Sequence, residues 1–165
     1  MASSGTAKVT LPADDQILIT RELDAPRQLV WQAWTTPELV KRWWNARRGE
    51  VTVCEIDLRV GGRWRYVMVT SEGGIEVGFH GEYREIVPHE RLVSTEVYEG
   101  MPPEHAGEGS VNTMTLSEQD GRTTVAILVQ HLSKEHRDAQ IDSGMEAGMQ
   151  DAMDLLEQVA ISLAR

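Results

Sequence analysis

The chain has 165 residues and a mass of 18.5 kDa, enough to bury one core of ordinary size but too little for two full domains. Its 41% hydrophobic and 25% charged content excludes disorder and fibrous repeats, and no apolar run reaches the roughly eighteen residues of a membrane span. The net charge of −10 argues against general affinity for phosphate backbones, so neither nucleic acid nor a membrane is an expected partner.

Residues 1–15 are small and polar, with Pro12 and the pair Asp14-Asp15, and show no periodicity. They predict a flexible tail, without the basic start and apolar block of a secretory signal, ahead of a single cytoplasmic domain over 16–165. From Gln16 the chain alternates Ile17, Ile19, Arg21 and Leu23 with Leu18, Thr20 and Glu22, a strand that stops at Ala25-Pro26. Leu29, Val30, Ala33 and Trp34 then recur at helical spacing, and Thr36-Pro37 restarts a short helix through Leu39, Val40 and Trp43.

Between Val51 and His131 the pattern is strand and turn. Six strands are predicted, over 51–58, 63–70, 76–87, 91–98, 110–117 and 123–131, separated by Gly61-Gly62, Gly73-Gly74, Pro88-His89 and Asp120-Gly121. Short connections imply an antiparallel meander. The long Gly/Pro-rich connection from Glu99 to Gly109 is either a lid over a pocket or a plain surface loop.

The last thirty residues change to a period of 3.6. Ile141, Met145, Met149, Ala152, Met153, Leu156, Val159, Ala160 and Leu163 form one stripe, opposite Gln150, Asp151, Asp154, Glu157 and Gln158. Ser133 is placed to cap this helix, while Ser143 with Glu146 has capping-box spacing that leaves room for a break between Asp142 and Gly144. Gly144 and Gly148, costly inside a helix, suggest close backbone approach. A curved meander closed by one helix is an α+β architecture, and its concavity must be filled by large side chains or left as a cavity. Met145, Met149 and Met153 offer an adaptable wall for the second case and ordinary core for the first.

These residues carry a resemblance. Arg21, Ala25-Pro26, Val30-Trp31, Trp34-Thr35, Pro37-Glu38, Trp43-Trp44, Asp57, Arg59, Gly61-Gly62, Trp64, Gly81, Tyr83, Glu85-Ile86, Arg91-Leu92-Val93, Gly144-Met145 and Gly148-Met149 together resemble the START-like (SRPBCC) superfamily. Within it the chain is similar to bacterial single-domain relatives of the activator of heat shock protein 90 ATPase, the Aha-type domain. The resemblance implies a helix-grip fold, with about seven strands in the order β-α-α-β6-α around the terminal helix and a deep apolar cavity between them. It also implies a link to stress response. Relatives commonly carry tryptophan where this chain has Met149, which implies a pocket of its own shape.

The expected function is binding of an apolar or amphipathic small molecule, without cofactor or metal. Strand alternation and the methionine stripe nominate Trp64, Tyr66, Met68, Phe79, Tyr83, Tyr98, Asn112, Met114, Met145, Met149 and Met153 as the pocket lining. Two alternatives remain. Lys41, Arg42, Arg47, Arg48, Arg59, Arg63 and Arg65 cluster in a half of the chain that also holds all five tryptophans, and they form either a docking patch for a chaperone or other acidic partner, or a solvated face. A cofactor-free cyclase or hydrolase would instead need Glu85 or Glu96 turned inward, where desolvation raises the carboxyl pKa. Cys54, the only cysteine, reads as a small buried hydrophobe, and it excludes an intramolecular disulfide or a cysteine-cluster zinc site.

Overall fold

The computed structural model describes residues 6–100 and 109–164. The expected lid segment therefore lies mostly outside the described residues. Eight strands form one antiparallel sheet: β1 (Lys8–Thr10), β2 (Gln16–Leu23), β3 (Gly49–Ile56), β4 (Arg63–Thr70), β5 (Glu76–Val87), β6 (Arg91–Tyr98), β7 (Ser110–Gln119) and β8 (Arg122–Gln130). Their order across the sheet is β1-β2-β8-β7-β6-β5-β4-β3, so the meander from β3 to β8 is joined at its far edge by the N-terminal strands. The helices among the described residues are α1 (Arg27–Thr35), α2 (Pro37–Val40), α3 (Lys134–Asp142) and α4 (Met145–Ser162).

The local reasons are those of the sequence. Pro26 opens α1 in an extended conformation, α1 buries Val30, Trp31 and Ala33, and Thr36, extended before Pro37, ends it. Pro37 then occupies the first turn of α2, where no amide hydrogen is needed. Asp120 and Gly121 both take positive φ, 54° and 77°, as a two-residue hairpin with right-handed twist requires between β7 and β8.

The main core lies between the concave face of the sheet and the helices α1 and α4. It joins Leu23, Trp31, Trp43, Trp64, Tyr66, Tyr83, Leu92, Met114 and Val125 to Met153, Leu156, Val159 and Ala160. A smaller cluster of Ala7, Ile17, Ile19 and Val129 packs against Met145 and Met149.

Three expectations are corrected. First, residues 8–10 are not tail: they pair with Leu18–Thr20 as an eighth strand. Gln150 on α4 both accepts from the Ala7 amide and donates to its carbonyl, each at 2.9 Å. Three residues are too few to show periodicity, so this pairing left no sequence signal. Second, the terminal helix takes the break for which its sequence left room, between Asp142 and Gly144, but the close approach expected of Gly148 is absent. Ser133 caps α3 by accepting from the His136 amide at 3.2 Å, and Gly144, at φ 82°, turns the chain between α3 and α4. Gly148 has no close backbone neighbour, for a Cβ built there would meet nothing within 4 Å. Third, Asp154 and Glu157, read as the solvent face of the helix, reach the buried guanidinium of Arg21 on β2 at 2.8 and 3.3 Å. Glu157 is itself buried and accepts a second hydrogen bond from the Asp24 amide.

A cavity at the open end of the sheet

Strand alternation puts the nominated side chains on the concave face, and the register aligns them. Trp64 stands opposite Gly81, Tyr66 opposite Phe79, Phe79 opposite Tyr98, Tyr83 opposite Ser94, Ser94 opposite Asn112, and Leu92 opposite Met114. Sharing a face does not make them share a cavity. Trp64, Tyr66, Tyr83, Met114 and Met153 are buried within the packed core, and Met68, Asn112 and Met149 are half-buried outside the lining.

Trp64 shows why the centre is full. Its indole N–H donates to the Thr95 carbonyl at 3.1 Å, and its ring packs against Tyr66 at 4.8 Å between centroids. Gly81 makes room for this, since a Cβ there would stand 1.8 Å from the Thr95 oxygen and 2.6 Å from the indole nitrogen.

The void lies farther along, at the end of the sheet where β5, β6 and β7 meet the junction of β8, α3 and α4. It measures about 570 Å3. Three nominated residues, Phe79, Tyr98 and Met145, line it, together with Val77 and Leu132. Phe79 and Tyr98 stand 5.1 Å apart, and Trp44 backs Phe79 edge-on at 5.9 Å. His136, Ala139, Gln140 and Ser143 supply the α3 side. Their spacing of three, four and seven residues marks one helical face, a legible signal that merging α3 with α4 concealed.

Polar groups converge on this apolar space. Glu96 projects from β6, and its Oε2 accepts from Asn112 Nδ2 at 3.1 Å. Burial pushes the Glu96 carboxyl above the usual range, and the Asn112 hydrogen bond only partly opposes that. Across the cavity His131 is hydrogen-bonded to Gln140 through Nε2, and burial lowers its pKa. Glu85, the other carboxylate considered, is corrected to the outer face: a register shift between Tyr83 and Glu85 reverses the alternation there, and the side chain pairs with Arg91 at the surface. Cys54 is half-buried, and burial pushes its thiol up to about 11, away from nucleophilic use. Among the described residues no three histidine, cysteine or carboxylate side chains gather as a metal site.

A second, wider groove of about 760 Å3 runs over the outer face of β3 to β6. Three of its charged groups are joined in one cluster. Arg65 grips Glu99 through two hydrogen bonds of 2.9 Å and His80 adds a third at 2.8 Å, which draw the Glu99 carboxyl down to about 2.

Residues 24–160 match the family described as Activator of Hsp90 ATPase homolog 1-like protein. The chain belongs to this family. Solved structures agree over nearly the whole length. A Rhodobacter sphaeroides protein is 27% identical, with a TM-score of 0.85 over 97% of this chain and 99% of that one. A Nitrosomonas europaea protein is 25% identical, with a TM-score of 0.81 over 93% and 99%. The AHSA1-like protein from Aeromonas hydrophila, at 23% identity, shares the fold with a TM-score of 0.66 over 89% and 94%. No curated protein matches the chain.

In this domain four of the seven residues of the basic cluster form ion pairs within the chain. Arg47 and Arg48 reach Asp151 on α4, Arg59 pairs with Asp57, and Arg65 pairs with Glu99. The tryptophans are engaged too: Trp31, Trp43 and Trp64 are buried, and Trp34 and Trp44 pack partly buried against the same core. No helix among the described residues is long and apolar enough to cross a membrane.

Proposed function

We propose that this protein holds an apolar or amphipathic small molecule in the cavity beside α3 and α4, as a soluble binding protein of the cytoplasm. The observation that carries the reading is the cavity of about 570 Å3 itself, mostly apolar and lined by Phe79, Tyr98, Leu132 and Met145. Ligand sites are characteristically concave and apolar with a few convergent polar groups, which is the composition seen here. The cavity is open to solvent at Tyr98 and Leu132, which are 41% and 56% exposed, apolar surface that a ligand would cover.

Docking on a chaperone is the second reading, and the family supports it. Against it stands the engagement of four of the seven clustered basic residues within the chain, and of the tryptophans within the core. A cofactor-free cyclase or hydrolase is the third, with Glu96 as its inward carboxylate.

The test uses N-phenyl-1-naphthylamine, an uncharged probe that fluoresces in apolar surroundings. Wild-type protein is expected to enhance its emission and to gain thermal stability from it, about 2.7 kcal/mol at a hundredfold excess over Kd. Met145→Trp, which places an indole in the cavity, should abolish both effects while keeping the circular dichroism of the native fold. A folded Met145→Trp protein that binds the probe as wild type does would overturn the site.

A further inference from the structure

We propose that the cavity selects cationic ligands: an amphipathic amine whose ammonium group sits against Glu96 and the faces of Phe79 and Tyr98, with its apolar part toward Leu132 and Met145. The inference rests on the binding reading above and specifies the class of ligand.

The charge inventory of the cavity leads to it. Among the described lining residues Glu96 is the one carboxylate; His131 and His136 also line the space, neither is hydrogen-bonded to Glu96, and no lysine or arginine lines it. Arg137, the basic residue nearest in sequence to the α3 wall, is turned elsewhere: its Nε donates to Asp138 and its Nη1 to the Ala13 carbonyl, at 2.9 and 3.0 Å. Among the described residues only Asn112 bonds to Glu96, through Oε2. A carboxyl group facing apolar space, as the half-buried Glu96 does, is ordinarily paired or protonated, because an isolated charge there is costly. Here the missing partner is a cation, and the open space next to the carboxyl is where a ligand would supply it.

The aromatic pair gives the second half of the argument. Phe79 and Tyr98 are cross-strand neighbours beside Glu96, with ring centroids 5.1 Å apart and planes inclined by 37°. Aromatic faces carry negative potential that attracts ammonium groups, and here Phe79 is half-buried while Tyr98 is exposed at the rim. A carboxylate with two rings suits an ammonium headgroup. An anion would meet the carboxylate, and a neutral alcohol would leave the pairing unmade.

The experiment compares octylamine, octan-1-ol and octanoate, below micelle-forming concentrations, as competitors for N-phenyl-1-naphthylamine at neutral pH. Wild-type protein is expected to bind octylamine about tenfold or more tightly than octan-1-ol, as one charge-assisted hydrogen bond allows, and octanoate least. Glu96→Gln, which keeps the side-chain shape, should bring octylamine and octan-1-ol within about twofold of each other, each displacement being referred to that variant's own affinity for the probe. Equal affinity of the two in wild type, or a preference unchanged in Glu96→Gln, would overturn the cation site and leave the cavity standing. Failure of the probe and of all three competitors to bind would overturn the cavity reading and this one with it.

Discussion

Arg21 shows how one residue reads differently in sequence and in space. It occupies an inward position of β2 between Ile19 and Leu23, where an aliphatic side chain would be expected, yet it is 2% exposed. Its guanidinium joins β2 to α4 through Asp154 and Glu157, and its Nε donates to the Glu22 carbonyl. Replacing one member of a buried ionic network leaves the others poorly compensated, a loss of about 3–5 kcal/mol. Arg21→Ala is expected to lose that much in urea unfolding. The double variant Arg21→Met/Glu157→Leu should recover much of it, since apolar replacement of a whole buried pair is often nearly neutral. A single variant within about 1 kcal/mol of wild type would show that the pair adds little.

At the scale of elements, α4 follows its stripe where the stripe meets the core and departs from it elsewhere. Met153, Leu156, Val159 and Ala160 are buried as periodicity requires, whereas Ile141 belongs to α3 and is 36% exposed. The break is set by Gly144, whose positive φ other residues rarely adopt. Gly148 differs: its φ is ordinary and its side-chain direction is open. Gly148→Ala should therefore raise stability by about 1 kcal/mol through helix propensity alone, read as a higher urea midpoint with an unchanged slope. A lower midpoint would mean that α4 needs the glycine for a contact. The same break explains the partial legibility of the candidate site. Phe79, Tyr98 and Met145 were reachable from strand alternation and the methionine stripe, but His136, Ala139 and Gln140 were not, because a single unbroken helix phases them away from the sheet.

At the scale of the molecule, the N-terminal segment belongs to the fold. Residues 8–10 extend the sheet beyond β2, Ala7 is buried against Gln150, and Ala13 and Asp15 accept hydrogen bonds from Arg137 and the His131 amide. Deleting residues 1–15 is expected to lower Tm by more than about 5 °C, equivalent to roughly 1–2 kcal/mol for a domain near this size. An unchanged Tm in calorimetry would show that the added strand contributes no net stability. The sequence alone determined the meander, the two short helices after the first long strand, strand alternation outside the irregularities at Val51 to Val53 and Tyr83 to Glu85, and the amphipathic terminal helix, because periodicity, proline and turn glycines act within a few residues. Tertiary structure alone decided which inward side chains became core and which faced the cavity. It also decided that the tail pairs and that Asp154 and Glu157 turn in to Arg21. Those outcomes depend on partners outside the local pattern, from Thr20 opposite Lys8 to Asp154 against Arg21, and local pattern carries no record of what a side chain meets there.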